Sequence, residues 1–170
     1  VIVAAMDVIL AFPGIVLLLA ISFYLGPSLR NLVIALGFLT IPAFSRVARA
    51  KTLTLRDLEF VQAARLSGAG NFTILAREII PNVIAPMAAY ALLVVSFMIM
   101  AEGALSFLGL GVPAPTPSWG ELLQQGWSNL DAWWISASVI GAMVITLIVV
   151  TFIGEAVREA FDPKLHTTYE

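Results

Sequence analysis

WWISASVIGAMVITLIVVTFIG, residues 133–154, runs without a single charged side chain. An α-helix needs about 20 predominantly apolar residues to cross the roughly 30 Å hydrocarbon core of a bilayer, so this stretch reads as a membrane span. Three further stretches reach a comparable length: VILAFPGIVLLLAISFYL (8–25), LRNLVIALGFLTIPAFSRV (29–47) and VIAPMAAYALLVVSFMIMAE (83–102). The expected fold is all-α, a polytopic transmembrane helical bundle with about four spans. Pro13 with Gly14 and Pro42 fall inside the first two stretches, where a membrane helix accepts a kink because neighbouring groups satisfy the freed carbonyl. The last two are rich in small residues, which let membrane helices approach closely.

The composition agrees. Hydrophobic residues make up 60% of the 170-residue chain, charged residues only 12%, and the mean hydropathy is +0.97. Soluble domains are about half apolar and a quarter charged. The net charge of -2 points neither to nucleic acid nor to an acidic substrate. With no cysteine, disulfide frameworks and thiolate chemistry are excluded. The chain opens on apolar Val1 without the features of a signal peptide, and is expected to begin part-way through a longer protein.

Basic residues accumulate in short cytoplasmic loops. Arg46, Arg49, Lys51, Arg56, Arg65 and Arg77 lie between the second and third spans, and Arg158 and Lys164 follow the fourth. The stretch 103–132 has none, with Arg30 the single basic residue on the opposite side. The expected arrangement therefore puts loop 48–81 and the C-terminus in the cytoplasm and loop 103–132 outside. Trp119, Trp127, Trp133 and Trp134 then gather at the outer interface. In that outer loop Pro113, Pro115 and Pro117 favour a stiff, extended backbone.

Within the cytoplasmic loop, RDLEFVQAARLSGAGNFTILAREIIPN (56–82) is too polar to span and too patterned for a linker. Two short helices are expected. Phe60, Ala63 and Ala64 share one face of the first, and Phe72, Leu75, Ala76 and Ile79 form a stripe on the second. Gly68 and Gly70 permit the left-handed backbone that ends a helix, Asn71 suits a cap for the next, and Pro81 suits the first turn of the third span. The pattern alone fits equally an amphipathic hairpin on the membrane surface and a docking element.

The stretch QAARLSGAGNFTILAREIIP (62–81) resembles the cytoplasmic signature loop of binding-protein-dependent ABC importer permeases, whose pattern is Glu-Ala-Ala, three residues, Gly, then a spacer ending in an apolar-Pro pair. Ala63, Ala64, Gly68, Ile80 and Pro81 match; Gln62 stands in place of Glu, and Glu78 where an apolar residue is common. MDVILAFPGIVLLLA (6–20), ALSFLGLGVPAPTPSWGELL (104–123) and EAVREAFDPKL (155–165) are similar to parts of the dipeptide, oligopeptide and nickel permease branch. The resemblance implies a type I ABC importer permease bundle, lacking two N-terminal helices here, in the cytoplasmic (inner) membrane of a prokaryote. It further implies a coupling loop, with Phe60, Gln62, Ala63, Ala64, Gly68, Ile80 and Pro81 docking on a cytoplasmic ATP-binding subunit. The partners implied are that subunit, a second homologous permease subunit, an extracytoplasmic substrate-binding protein and the lipid bilayer. Peptides are the implied cargo, with nickel as the alternative.

No catalytic site and no cofactor or metal site is expected in this chain. It has no phosphate-binding loop, so ATP and its Mg²⁺ fall to partners. An intramembrane hydrolase would need a base near Ser96 or Ser106, and the spans hold no His or Lys. A membrane anchor or assembly subunit would share the hydropathy but has no need of the small-residue loop. His166 stands without a second ligand, the methionines read as packing residues, and Glu102 reads as the span's end at the outer interface.

Overall fold

The computed structural model describes residues 6–7 and 10–160, and all regular structure among them is helical. The helices are α1 (Gly14–Leu25), α2 (Leu29–Leu55), α3 (Glu59–Leu66), α4 (Asn71–Phe107), α5 (Trp119–Ser128) and α6 (Trp133–Ala160). A 3₁₀ turn, Leu130–Ala132, leads into α6. Three segments, Leu29–Leu55, Asn71–Phe107 and Leu130–Ala160, are long and apolar enough to cross a membrane. Much of their apolar surface is uncovered: Ile145 of α6 is 65% exposed and Phe152 66%. A helix apolar on its outward face requires lipid or protein around it.

Several boundaries differ from the sequence expectation. Pro13 does not kink a helix running over 8–25; it stands at the N-terminal boundary of α1, whose 12 residues reach only about 18 Å. Residues 8 and 9 of that expected span lie outside the described residues, as do Lys164 and His166. The second helix continues past the expected end at 47 as far as Leu55, and α4 continues past 102 to Phe107. The stretch 103–132 is not extended throughout, since it contains α5.

The residues divide into two compact units. The first comprises the described residues up to Pro42 together with Val94–Thr151. Its core joins Leu18 of α1, Leu32, Ala35 and Leu36 of α2, and Ala101 and Leu105 of α4. The turn between α1 and α2 is tied by Asn31, whose side-chain amide donates to the carbonyls of Leu25 at 2.8 Å and Gly26 at 3.1 Å. At the other end, α5 sits against the end of α4 so closely that a Cβ on Gly120 would lie 2.6 Å from the Ser106 Cβ and 2.7 Å from the Phe107 nitrogen. Only glycine leaves room for that approach.

The second unit comprises Ala43–Leu93 with the described residues from Phe152 onward. Its core is small: Val61, Ile74 and Ile79, with Ala64, Ala69 and Val83 packed against them. Phe44 and Tyr90 meet edge to face at 5.1 Å.

Candidate partner-docking elbow

The polar stretch between α2 and α4 folds into a compact elbow. After α2 ends at Leu55, the chain turns through Arg56–Leu58 and enters α3 with Glu59 in its first turn and Arg65 in its last, both signs matched to the helix dipole. The Gln62 side chain donates to the Asp57 carbonyl at 3.1 Å, bracing this entry turn.

The exit is a Schellman motif. Gly68, with φ +81°, donates to the Arg65 carbonyl at 3.0 Å, and Ala69 donates to the Ala64 carbonyl at 3.0 Å. Ala64 and Ala69, the pair that normally makes the accompanying apolar contact, both rest on the Val61–Ile74–Ile79 cluster. The Ser67 hydroxyl adds a bond to the Ala63 carbonyl at 2.9 Å. The expected role of Gly68 as the helix terminator is therefore what the backbone adopts.

The expected second helix is not a separate element. α4 begins at Asn71 and runs on without a break, and its N-cap position is Gly70, not Asn71; no side chain caps it. Leu75–Ile79 forms a π turn in which the Ile80 amide donates to the Leu75 carbonyl. Pro81 follows directly. In a regular α turn the Pro81 ring would crowd the Arg77 carbonyl and leave it without a donor, and a widened turn at this place relieves the conflict. The extra residue also explains why Ile74 and Ile79, five apart, both face the small core. The stripe expected from Phe72, Leu75, Ala76 and Ile79 is accordingly broken: Phe72 is 82% exposed, Leu75 and Ala76 are exposed, and only Ile79 is buried.

The elbow brings Gln62, Ala63, Ala64 and Gly68 together on α3 and its exit, with Ala63, Gln62 and Gly68 exposed and Ala64 half-buried. Phe60 is exposed at 37%. Ile80 and Pro81 lie more than two turns into α4, and Ile80 lines an apolar cavity of about 520 Å³ with Thr52, Val83 and Met87. The sequence reading passes over Leu66, 91% exposed, and assigns Phe72 to a buried stripe, whereas both are uncovered large apolar side chains flanking the glycine turn. Their signal was available: bulky apolar residues on either side of Ser-Gly-Ala-Gly have no local partner to bury them. Leu66 and Phe72 thus stand as an exposed apolar pair beside small residues and a left-handed turn.

Among the described residues no group of three or more His, Cys, Asp or Glu is placed to hold a metal ion.

The sequence matches the family of binding-protein-dependent transport system inner membrane components over residues 1–167. Curated relatives include a putative peptide transport system permease protein of Brucella suis, 42% identical over 161 residues, which cover 94% of this chain and 54% of the relative. A di/tripeptide transport system permease protein of Pseudomonas aeruginosa is 38% identical, covering 94% of this chain and 53% of the relative. A glutathione transport system permease protein of Escherichia coli O1:K1 is 36% identical with the same coverage, 94% and 53%. The chain thus spans about half the length of the curated relatives it matches. It belongs to the binding-protein-dependent transport system inner membrane components, a family of multi-pass membrane permeases without catalytic residues or cofactors of their own.

Proposed function

We propose that this chain is part of the translocation subunit of an ATP-driven, binding-protein-dependent importer, and that its cargo is a short peptide. The observation that carries the reading is the elbow: a rigid Schellman exit, small exposed residues and two uncovered apolar side chains on a segment continuous with an apolar helix of 37 residues. A surface helix on lipid would turn its large apolar residues to one side along its length. Here Leu66 and Phe72 are uncovered around a tight glycine turn while Val61 and Ile74 are buried inward.

In this reading the elbow, Phe60 to Gly68 above all, docks on a cytoplasmic ATP-binding subunit, and Ile80 and Pro81 begin the lever. ATP closes the ATPase subunits, and the displacement passes through Gly70 into α4 with no intervening loop. The permease itself does no chemistry. A second homologous permease subunit completes the pathway, and an extracytoplasmic binding protein delivers cargo. The concentration of Arg46, Arg49, Lys51, Arg56, Arg65 and Arg77 supports placing residues 48–81 and the C-terminus in the cytoplasm. The peptide and glutathione names of relatives at 35–42% identity favour peptide over nickel.

The test uses the complete importer in proteoliposomes with labelled dipeptide and with nickel. Deleting residues 60–80 should abolish ATPase association and uptake while the remaining helices still insert. Retained ATP-dependent uptake by that variant would refute the docking role and favour a passive anchor.

A further inference from the structure

Glu102 is the one acidic residue in the apolar 83–102 stretch, and the structure does not leave it at a solvated helix end. α4 continues five residues beyond it to Phe107, and its side chain is half-buried. Ser106, 4% exposed, donates its hydroxyl to Glu102 Oε1 at 2.6 Å. The Val112 amide in turn donates to Ser106 Oγ at 3.2 Å. With its single proton spent on Glu102, Ser106 is held from the other side, so the carboxylate orientation is fixed by the fold. Gly109, with φ +76°, closes a second Schellman motif that brings Leu110 back over Leu105, and so delivers Val112 to this position.

The other carboxylate oxygen, Oε2, makes no hydrogen bond among the described residues. Glu102 lines an open cavity of about 460 Å³ within the first unit, together with Leu29, Val112, Trp119 and Leu122 and the hydroxyl residues Thr116 and Ser118. No lysine, arginine or histidine lines it. An ionisable group in an apolar membrane helix is costly unless it has a function or a partner, and this one has half a partner. An aromatic residue shares the cavity with the acceptor, a combination suited to an organic cation.

We propose that this cavity is a station for the primary ammonium group of the cargo, with Glu102 as its acceptor and Ser106 as the residue that positions it. The proposal rests on the peptide-importer reading above and narrows it to cargo with a free amino terminus. A single carboxylate with hydroxyl groups is a poor donor set for nickel, which imidazole ligands suit.

The test uses the assembled complex, otherwise free of cysteine, without its binding protein, so that selectivity of delivery does not enter. Thr116→Cys, on the cavity wall, is labelled with a maleimide in the presence of saturating dialanine or N-acetyl-dialanine. Dialanine should slow labelling and N-acetyl-dialanine should not. Glu102→Gln, which still accepts from Ser106, should remove the protection through a loss of about tenfold or more in dialanine affinity. Equal protection by the two peptides, protection retained in Glu102→Gln, or no protection in the presence of native Glu102 overturns the proposal. ATP-dependent uptake by the same preparation with its binding protein restored is measured in parallel. Uptake without amine-dependent protection rejects the ammonium station alone, whereas absence of uptake rejects the importer reading beneath it.

Discussion

Val61→Ala should loosen the elbow without touching its outer surface. Val61 is fully buried, and the cluster it belongs to has only Ile74 and Ile79 as other buried members. Truncation removes two methyl groups, worth about 1.6 kcal/mol in transfer free energy. The residual cavity in so small a cluster brings the cost to about 2 kcal/mol. Because these contacts fasten α3 to the start of α4, the cost falls on local opening of the elbow. An opening equilibrium raised by that amount is populated about thirtyfold more, and proteolysis follows it when closing is fast. Trypsin cleavage after Arg65, exposed on α3, is the readout, measured in vesicles with the cytoplasmic face outward and mapped by mass spectrometry. Phe72→Ala, at a side chain 82% exposed, serves as the control and should leave the rate unchanged. An unchanged rate in Val61→Ala would show that something other than this cluster holds the elbow, and the packing argument would fail.

Gly68→Trp should abolish ATP-dependent uptake while the subunit still reaches the membrane, because a bulky side chain in the left-handed turn both strains the backbone and projects into the approach surface. Gly68→Asn, tolerated in that conformation, should retain more uptake, and equal loss from both would point away from backbone strain. Gly120→Val should destabilise the first unit by about 3 kcal/mol, read as a lowered unfolding temperature in detergent, since its Cβ would overlap the end of α4. The isolated chain should hydrolyse no ATP, checked by phosphate release, and sustained turnover would overturn the division of labour between permease and motor.

What could be read in the sequence was local. Gly68 announced the end of α3 because a positive φ strongly favours glycine, and Gly109 carries the same signature in Phe-Leu-Gly-Leu. The Ser118 to Glu121 spacing is an N-terminal helix signature, and the Ser118 hydroxyl does accept from the Glu121 amide at 3.2 Å, yet the neighbouring prolines pointed to extended chain. The Phe72–Ile79 stripe is broken because the π turn before Pro81 inserts a residue and shifts the side chains that follow it, while the helix simply starts one residue earlier than a cap at Asn71 requires, with Gly70 in the N-cap position. The full length of α4 is not legible from a span rule: about 20 residues suffice to cross, whereas the helix runs on past Glu102 to Phe107 and is capped there by its own glycine turn. The close seats of Gly120 on Ser106 and of Gly126 on Ser136 join residues distant in sequence and leave no periodic trace.

In the proposed mechanism the glycine turn between α3 and α4 receives mechanical work from a separate motor. A photoreactive amino acid at Leu66 or Phe72, in the intact complex carried through its nucleotide cycle, measures this directly. Cross-links to the ATP-binding subunit whose yield changes with nucleotide are the expected result. Cross-links to lipid alone in every nucleotide state would contradict it.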